Sequence, residues 1–475
     1  MFSVSRLPDW AKPKEIFDLV RLAVPVALSR SSFMLMGLTD AIILGRHRTD
    51  ELPLVLVGWL PNGVFMGFGM GLMLGVSVLT AELNGSGKGS ETGRIFRRGM
   101  LVALAYSIIA TLACVVVAAP LLRLLGFEPD FVNSTAQTTR ILAYGTLGHM
   151  IGIGATFYLE ALRRPNIVTV ISMVAVAFNL VVDLILVPTY GAVGVVWATT
   201  ASRTLIAVLS VIAALALTPA LKRSPAGPQG EFLRQNKVGL GTGVANVAEW
   251  GSFNMTFVIA SLVSYAAGTA YGLTVQFLGV IFMVYLGLGT ATSVRVAESY
   301  GRKDAVGVRN ASRLGVVTAF IAGGALALLL LLLRDPIAAF ALNSSEDADA
   351  NAHLLPMLAG LMAVAAFISL FDGQQAVGSM ALRAQNVVWW PTAIHVGSYV
   401  LLMVPIAWYL ALVAGIGVWG VMVGVAVASV LAGCAQVIVL EWKAARGVRT
   451  GISSQSSLHA VPPTEVAAAS TSAGP

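Results

Sequence analysis

Ala81-Glu82-Leu83-Asn84-Gly85 and Ala297-Glu298-Ser299-Tyr300-Gly301 stand 216 residues apart, each at the tail of a long apolar run. Three further matches keep nearly the same spacing. Ala161-Leu162-Arg163 with Asn166 repeats as Ala381-Leu382-Arg383 with Asn386, at an offset of 220. Val187-Pro188 returns as Val404-Pro405 at 217, and Gly194-Val195 as Gly417-Val418 at 223. Each pair falls at the same place in the order of apolar runs, as a duplicated unit requires.

The runs themselves set the solvent. Of the 475 residues, 57% are apolar and only 11% charged, and the mean hydropathy is +0.82. A soluble domain carries about a quarter charged residues, so this chain is built for lipid. A bilayer core of about 30 Å needs about 20 apolar residues in a helix. Such stretches fall at 19–45, 55–81, 96–119, 138–160, 166–187 and 191–218, then at 238–263, 268–294, 312–333, 353–379, 388–411 and 416–441. The sequence therefore predicts an all-α integral membrane protein of twelve transmembrane helices. Six per half is an even number, so both halves enter the membrane the same way and form parallel repeats around a central cavity.

The expected organisation is an interfacial N-terminus (1–18), an N-lobe (19–218), a polar Pro/Gly-rich linker (219–237), a C-lobe (238–446) and a disordered tail (447–475). No cleavable signal is apparent in the first 20 residues. The net charge of +7 suggests no nucleic-acid partner, because Lys and Arg cluster in alternate loops rather than in an aromatic-interleaved patch. With both termini inside, 22 of the 30 basic residues lie on that side and five outside, which orients the chain by the positive-inside rule. Arg30, Arg203 and Arg295 are left within spans. Cys114 and Cys434, far apart in apolar runs, read as small fillers.

Four carboxylates sit well inside apolar runs: Asp40 in span 1, Asp183 in span 5, Glu249 in span 7 and Asp372 in span 10. An acid at a helix centre disfavours insertion by about 2.5–3.5 kcal/mol, so such groups face a watery cavity, hold a proton or bind a cation. Asn179 lies one turn before Asp183 on the same face, and Asp40 and Asp183 share a depth. With the hydroxyl of Thr199 they offer oxygen ligands for a small hard cation such as Na+, or the two acids share a proton. Asp372 comes with the amides of Gln374 and Gln375. Glu82 and Glu298, at span ends, are expected to pair with loop arginines. Phe178, Phe253, Phe257, Tyr271, Phe277 and Met283 are candidates for an aromatic cavity lining, though such residues are more often packing.

The ordered set Leu22-Ala23-x-Pro25, Gly37-Leu38-x-Asp40, Ala81-Glu82-Leu83-Asn84-Gly85, Asn179-x-x-x-Asp183, Ala198-Thr199, Phe371-Asp372-Gly373-Gln374-Gln375 and Val418-Trp419-Gly420 resembles the multidrug and toxic compound extrusion (MATE) family, to about residue 445. It is most like the NorM branch, with DinF-like features in the N-lobe. The resemblance implies a monomeric exporter of organic cations by exchange for Na+ or H+, in a bacterial inner membrane with both termini cytoplasmic and no cofactor. It assigns Asp40, Asn179, Asp183 and Thr199 to an N-lobe coupling site, Glu249, Asp372 and Gln375 to a C-lobe site, and a helix bend to Pro25. Carrying both sites leaves open which lobe couples, and 159–164 lacks the family's usual Arg-Gly run. The competing transport reading is a lipid-linked saccharide flippase of the same superfamily, which would want more basic residues in the cavity. A membrane enzyme would show clustered Asp-rich metal motifs, and no P-loop suggests ATP drive.

Overall fold

The computed structural model describes residues 8, 10, 12–124, 126–342 and 348–450; among the described residues every regular element is helical. The first-half helices are α1 (Pro13–His47), α2 (Leu52–Gly85), α3 (Thr92–Leu124), α4 (Pro129–Ala161) and the run Pro165–Leu217, which holds two passes, α5 (165–190) and α6 (192–217). The second half contributes α7 (Glu231–Val263), α8 (Tyr265–Gly301), α9 (Ala305–Leu342), α10 (Ala348–Ala384), α11 (Trp389–Val413) and α12 (Val418–Thr450). Wider π-type turns occupy Val396–Met403 and Tyr409–Val413 within α11.

A straight helix of 53 residues would be about 80 Å long, far more than a bilayer. The run instead breaks at Gly191, with φ 54° and ψ −130°, a backbone region open to glycine alone. A Cβ at Gly191 would lie 2.1 Å from Oε2 of Glu51. That same oxygen accepts a hydrogen bond from the Ala192 N–H at 2.7 Å. Glu51 thus satisfies one of the backbone donors that the fresh helix start leaves open.

Nine segments among the described residues are long and apolar enough to cross a membrane. The Pro165–Leu217 segment counts once among them although it passes twice. Pro129–Ala161 and Glu231–Val263 fall short because they bury polar side chains inside the bundle, among them Thr139, His149 and Glu160 on one and Gln235, Thr242 and Glu249 on the other. In lipid the backbone must bond within its own helix, and large apolar side chains such as Leu101, Ile109, Phe320 and Leu332 stand on the outer faces.

Three boundaries differ from the sequence reading, the last being α12, which runs on to Thr450 inside the expected tail. Helix α7 begins at Glu231, inside the expected linker, because Arg94 and Arg98 of α3 both pair with Glu231 at 2.8 Å and hold its first turn down. Helix α1 begins at Pro13, inside the expected interfacial segment, and Glu15 pairs with Arg295 there. Most of the residues before 12, the first part of the acidic run Ser344–Ala350, and the tail beyond 450 lie outside the described residues.

The duplication is visible in the backbone. Leu83 and Ser299 accept from the N–H groups of Lys88 and Asp304, closing the same six-residue turn after α2 and after α8. Its left-handed position is Gly87 (φ 78°) in one half and Lys303 (φ 59°) in the other. The halves meet through glycine at this end. A Cβ on Gly85 would stand 2.2 Å from the Glu298 carbonyl oxygen, and one on Gly301 would stand 2.0 Å from that of Glu82. Further along, Gly71 meets Gly243, and Gly75 and Gly239 approach the carbonyls of Gln235 and Leu72. Small residues let helices touch backbone to backbone where no hydrophobic drive exists between them. Arg163, in the loop after α4, donates a fork to Glu298 at 2.8 and 2.5 Å as expected, whereas the arginine that reaches Glu82 at 2.9 Å is Arg234, in the first turn of α7 and not in a loop.

Candidate functional site

Beyond these contacts, toward the end carrying Gly45 and Gly191, the halves enclose a cavity of about 730 Å³. Its walls are largely apolar, with Phe33, Trp59, Trp250, Phe253, Phe257 and Phe282 among them, and its charged lining is Arg30, Asp40, Arg203, Glu249 and Asp372. A cavity of this size, apolar with a few convergent polar groups, suits an organic molecule of drug dimensions.

On the first-half side, the fold-back at Gly191 lays α5 and α6 together against α1. Asp40 accepts from the Thr199 hydroxyl at 2.7 Å, and its carboxyl neighbours that of Asp183. Thr199 and Asp183 come from different arms of the broken helix, so the site exists only because that helix doubles back. Asp183 and Asn179 are fully buried. Neither Asp183 oxygen, nor Oδ1 of Asp40, nor the amide nitrogen of Asn179 has a hydrogen-bond partner. Asn179 Oδ1 accepts from Thr39 at 3.4 Å. Two neighbouring buried carboxyls form a place where a shared proton or a bound cation fits. The four residues expected at this site are gathered here.

On the second-half side, Gln375 donates to Glu249 at 2.7 Å. Asp372 lies on the same cavity lining with its Oδ1 unpartnered. Sequence reasoning passed over His395, whose Nε2 is 3.5 Å from Oε2 of Glu249. Its Nδ1 lies 2.7 Å from the Pro391 carbonyl, which only accepts, so the Nδ1 proton points there and Nε2 is the ring atom that faces the glutamate. The signal available was a single histidine in the apolar run 388–411.

Phe253, Phe257 and Met283 line the cavity. Three others do not. Tyr271 is buried in the second-half core and bonds Thr256 at 2.7 Å, Phe277 packs against the same core, and Phe178 on α5 is outside the lining and partly exposed. Their positions on helix faces turned away from the cleft are invisible to residue type alone. Pro25 leaves α1 one continuous helix, and its carbonyl accepts from Thr169 at 2.7 Å.

Glu160, placed at a span end by the sequence, is instead 1% exposed, and Arg30 donates to it at 2.8 Å. The basic pair Arg163-Arg164 just beyond it made the helix look as if it had already left the membrane. Breaking a buried pair from one side leaves a bare charge, at a cost of about 3–5 kcal/mol. Arg30→Met is therefore expected to lower the thermal unfolding midpoint sharply in detergent. Adding Glu160→Gln should recover most of the loss, and a double variant as unstable as the single one would show that the pair is not the cause.

The MatE family profile matches the chain twice, over residues 25–185 and 242–409. The second match begins 217 residues after the first, within the spread of offsets found inside the chain. A probable multidrug resistance protein NorM of Caulobacter vibrioides is 34% identical over 430 residues, 88% of this chain and 89% of that protein. A multidrug resistance protein NorM of Burkholderia vietnamiensis is 29% identical over 434 residues, covering 87% and 92%. Among solved structures, an outward-facing multidrug resistance MATE family transporter of the MOP superfamily superposes with a TM-score of 0.83 at 16% identity, over 91% of this chain and 96% of that one. The eukaryotic MATE transporter AtDTX14 gives 0.81 at 15%, over 92% and 99%.

Proposed function

Because the chain belongs to the MatE family, we propose that it is a secondary active multidrug exporter of amphipathic organic cations, driven by antiport with Na+ or H+. The observation that carries this is the pairing of two buried carboxyls, Asp40 and Asp183, with three of their oxygens unpartnered, beside an apolar cavity that also presents Glu249 and Asp372. The charge asymmetry of the loops puts the Glu82–Glu298 end in the cytoplasm. The glycine contacts then close the cytoplasmic side, and the cavity faces outward.

In this cycle a cationic cargo enters from the cytoplasm when the halves rock the other way, and settles between the aromatic walls against Glu249 and Asp372. Rocking back exposes the cavity outside, where Na+ or H+ reaches the Asp40–Asp183 pair. Neutralising that pair lowers the negative potential of the cavity and weakens the hold on the cargo. In the next half-cycle the ion leaves inside. Coupling resides in the first half on this reading, since the carboxyl–carboxyl contact is there, and the second half supplies cargo-facing charge. A pyrophosphate-recognising flippase would need a cluster of free cations, whereas of the two lining arginines Arg30 is already paired with Glu160.

Everted membrane vesicles, given a fluorescent organic cation, should take it up under an imposed proton or sodium gradient. The gradient that drives uptake names the ion. Uptake under neither would move the assignment to lipid transport.

A further inference from the structure

Arg203, four residues after Thr199 on α6, lines the cavity yet is only 2% exposed. Its guanidinium carbon lies 4.6 Å from the centroid of the Trp59 ring. Stacking holds the guanidinium plane and leaves its N–H edge free. Nε and Nη1 have no hydrogen-bond partner. Stripping a cation of water without giving it an anion is among the most costly arrangements in a protein interior. The other arginines within the spans are differently placed. Arg30 has Glu160, Arg295 has Glu15, and Arg383, bonded to Ser379, is not on the cavity lining. Asp40, on the same wall, is already engaged with Thr199 and faces Asp183.

Around Arg203 the wall opens into a side recess that Arg30, His149 and Ser172 share with it. The charged lining is thus uneven: the first-half wall carries Arg203 without an ion-pair partner beside His149, with Asp40 and the Glu160-paired Arg30 on the same side, and the second-half wall carries Glu249 and Asp372. We propose that Arg203 is an anion subsite that takes a carboxylate borne by the cargo, so that the preferred cargo is zwitterionic, its cationic end toward Glu249 and Asp372. This deepens the efflux reading and rests on it. The planar fork is the donor geometry that a carboxylate fits in two bonds. Such charge-assisted bonds in a dry site are worth about tenfold to a hundredfold in affinity.

Rhodamine 110, a cationic dye with a free carboxylate, and its methyl ester rhodamine 123 form a matched pair of probes. Their binding to the full chain in lipid nanodiscs is read by fluorescence polarisation, with wild type, R203Q and Arg203→Lys compared. The wild type should prefer the acid to the ester by about tenfold or more. R203Q should lose that preference and Arg203→Lys should keep part of it. A wild type that binds the ester with no preference for the acid overturns this inference alone. So does R203Q weakening both dyes equally, which is what a structural counter-ion to Asp40 would do. Chloride titrated against gluconate at constant ionic strength tests a free halide: if it strengthens ester binding in the wild type and not in R203Q, the subsite is not for cargo and the inference falls. A wild type that binds neither dye overturns the cargo reading and this inference together.

Discussion

Asp40→Asn is expected to reduce gradient-driven uptake more than tenfold in everted vesicles while the protein still folds and inserts. The replacement is isosteric, and the Thr199 hydroxyl still finds an oxygen to donate to. What changes is the contact with Asp183. Neither Asp183 oxygen nor Oδ1 of Asp40 has a hydrogen-bond partner, and in the proposed cycle a proton or cation comes and goes there. An amide supplies a donor permanently. Its N–H would bond the Asp183 carboxylate, a charge-assisted bond with nothing to release, and the first half would be held as though loaded. Asp372→Asn should behave differently. It removes a charge from the cavity wall and weakens the hold on a cationic cargo, but the ion dependence of what transport remains should persist. Initial rates for both variants, measured across a series of imposed gradients, separate the cases. Loss of ion dependence in Asp372→Asn with its retention in Asp40→Asn would place coupling in the second half instead.

The second large effect is expected at the glycine contact. In the double variant Gly85→Ala and Gly301→Ala, each new Cβ would fall within 2.0–2.2 Å of a backbone carbonyl oxygen of the other half. A side chain in the way can swing aside, but a carbonyl in a helix cannot. The halves have to part by an ångström or more at this end. Overpacking of this kind costs about 1–3 kcal/mol per site. Moving a two-state balance from 1:99 to 99:1 takes about 5.5 kcal/mol, so the pair of substitutions approaches what is needed to open this end. The Arg163–Glu298 fork and the single Arg234–Glu82 bond would be lost with it. Asn84→Cys, in a background with Cys114 and Cys434 replaced by Ala, reports the change. Labelling of that cysteine by a maleimide from the Glu82–Glu298 side should quicken at least tenfold in the double-alanine protein. An unchanged rate would mean that the glycines do not hold the halves together.

How much of this was legible beforehand divides along physical lines. Twelve passes followed from the apolar runs, including those in Pro129–Ala161 and Glu231–Val263, where polar residues such as His149 and Glu249 interrupt the run. The hinge between α5 and α6 was marked by Pro188 and Gly191. The first-half cluster was readable since Asn179 and Asp183 share a helix face and Asp40 shares their depth. Contacts that depend on the rotation of one helix against another were not readable. The approach of His395 to Glu249 crosses from α11 to α7, and the ion pair of Arg30 with Glu160 from α1 to α4; no spacing within one helix encodes either. The same limit explains why Phe253 and Phe257, one turn apart on α7, reach the cavity while Tyr271 and Phe277 on the neighbouring helix do not.

The reciprocal seating of Gly85 on Glu298 and Gly301 on Glu82 has the form of an isologous interface, in which one patch meets a copy of itself about a two-fold axis. Within a single chain that geometry is the imprint of a homodimer whose protomers became joined. Once joined, the two copies were free to differ, and they have done so at the positions that carry charge. A carboxyl pair and a lone guanidinium stand in one copy, a glutamate–histidine pair in the other, while the self-complementary seam kept its shape. Fusion thus turned one symmetric vestibule into a chamber with two unlike walls.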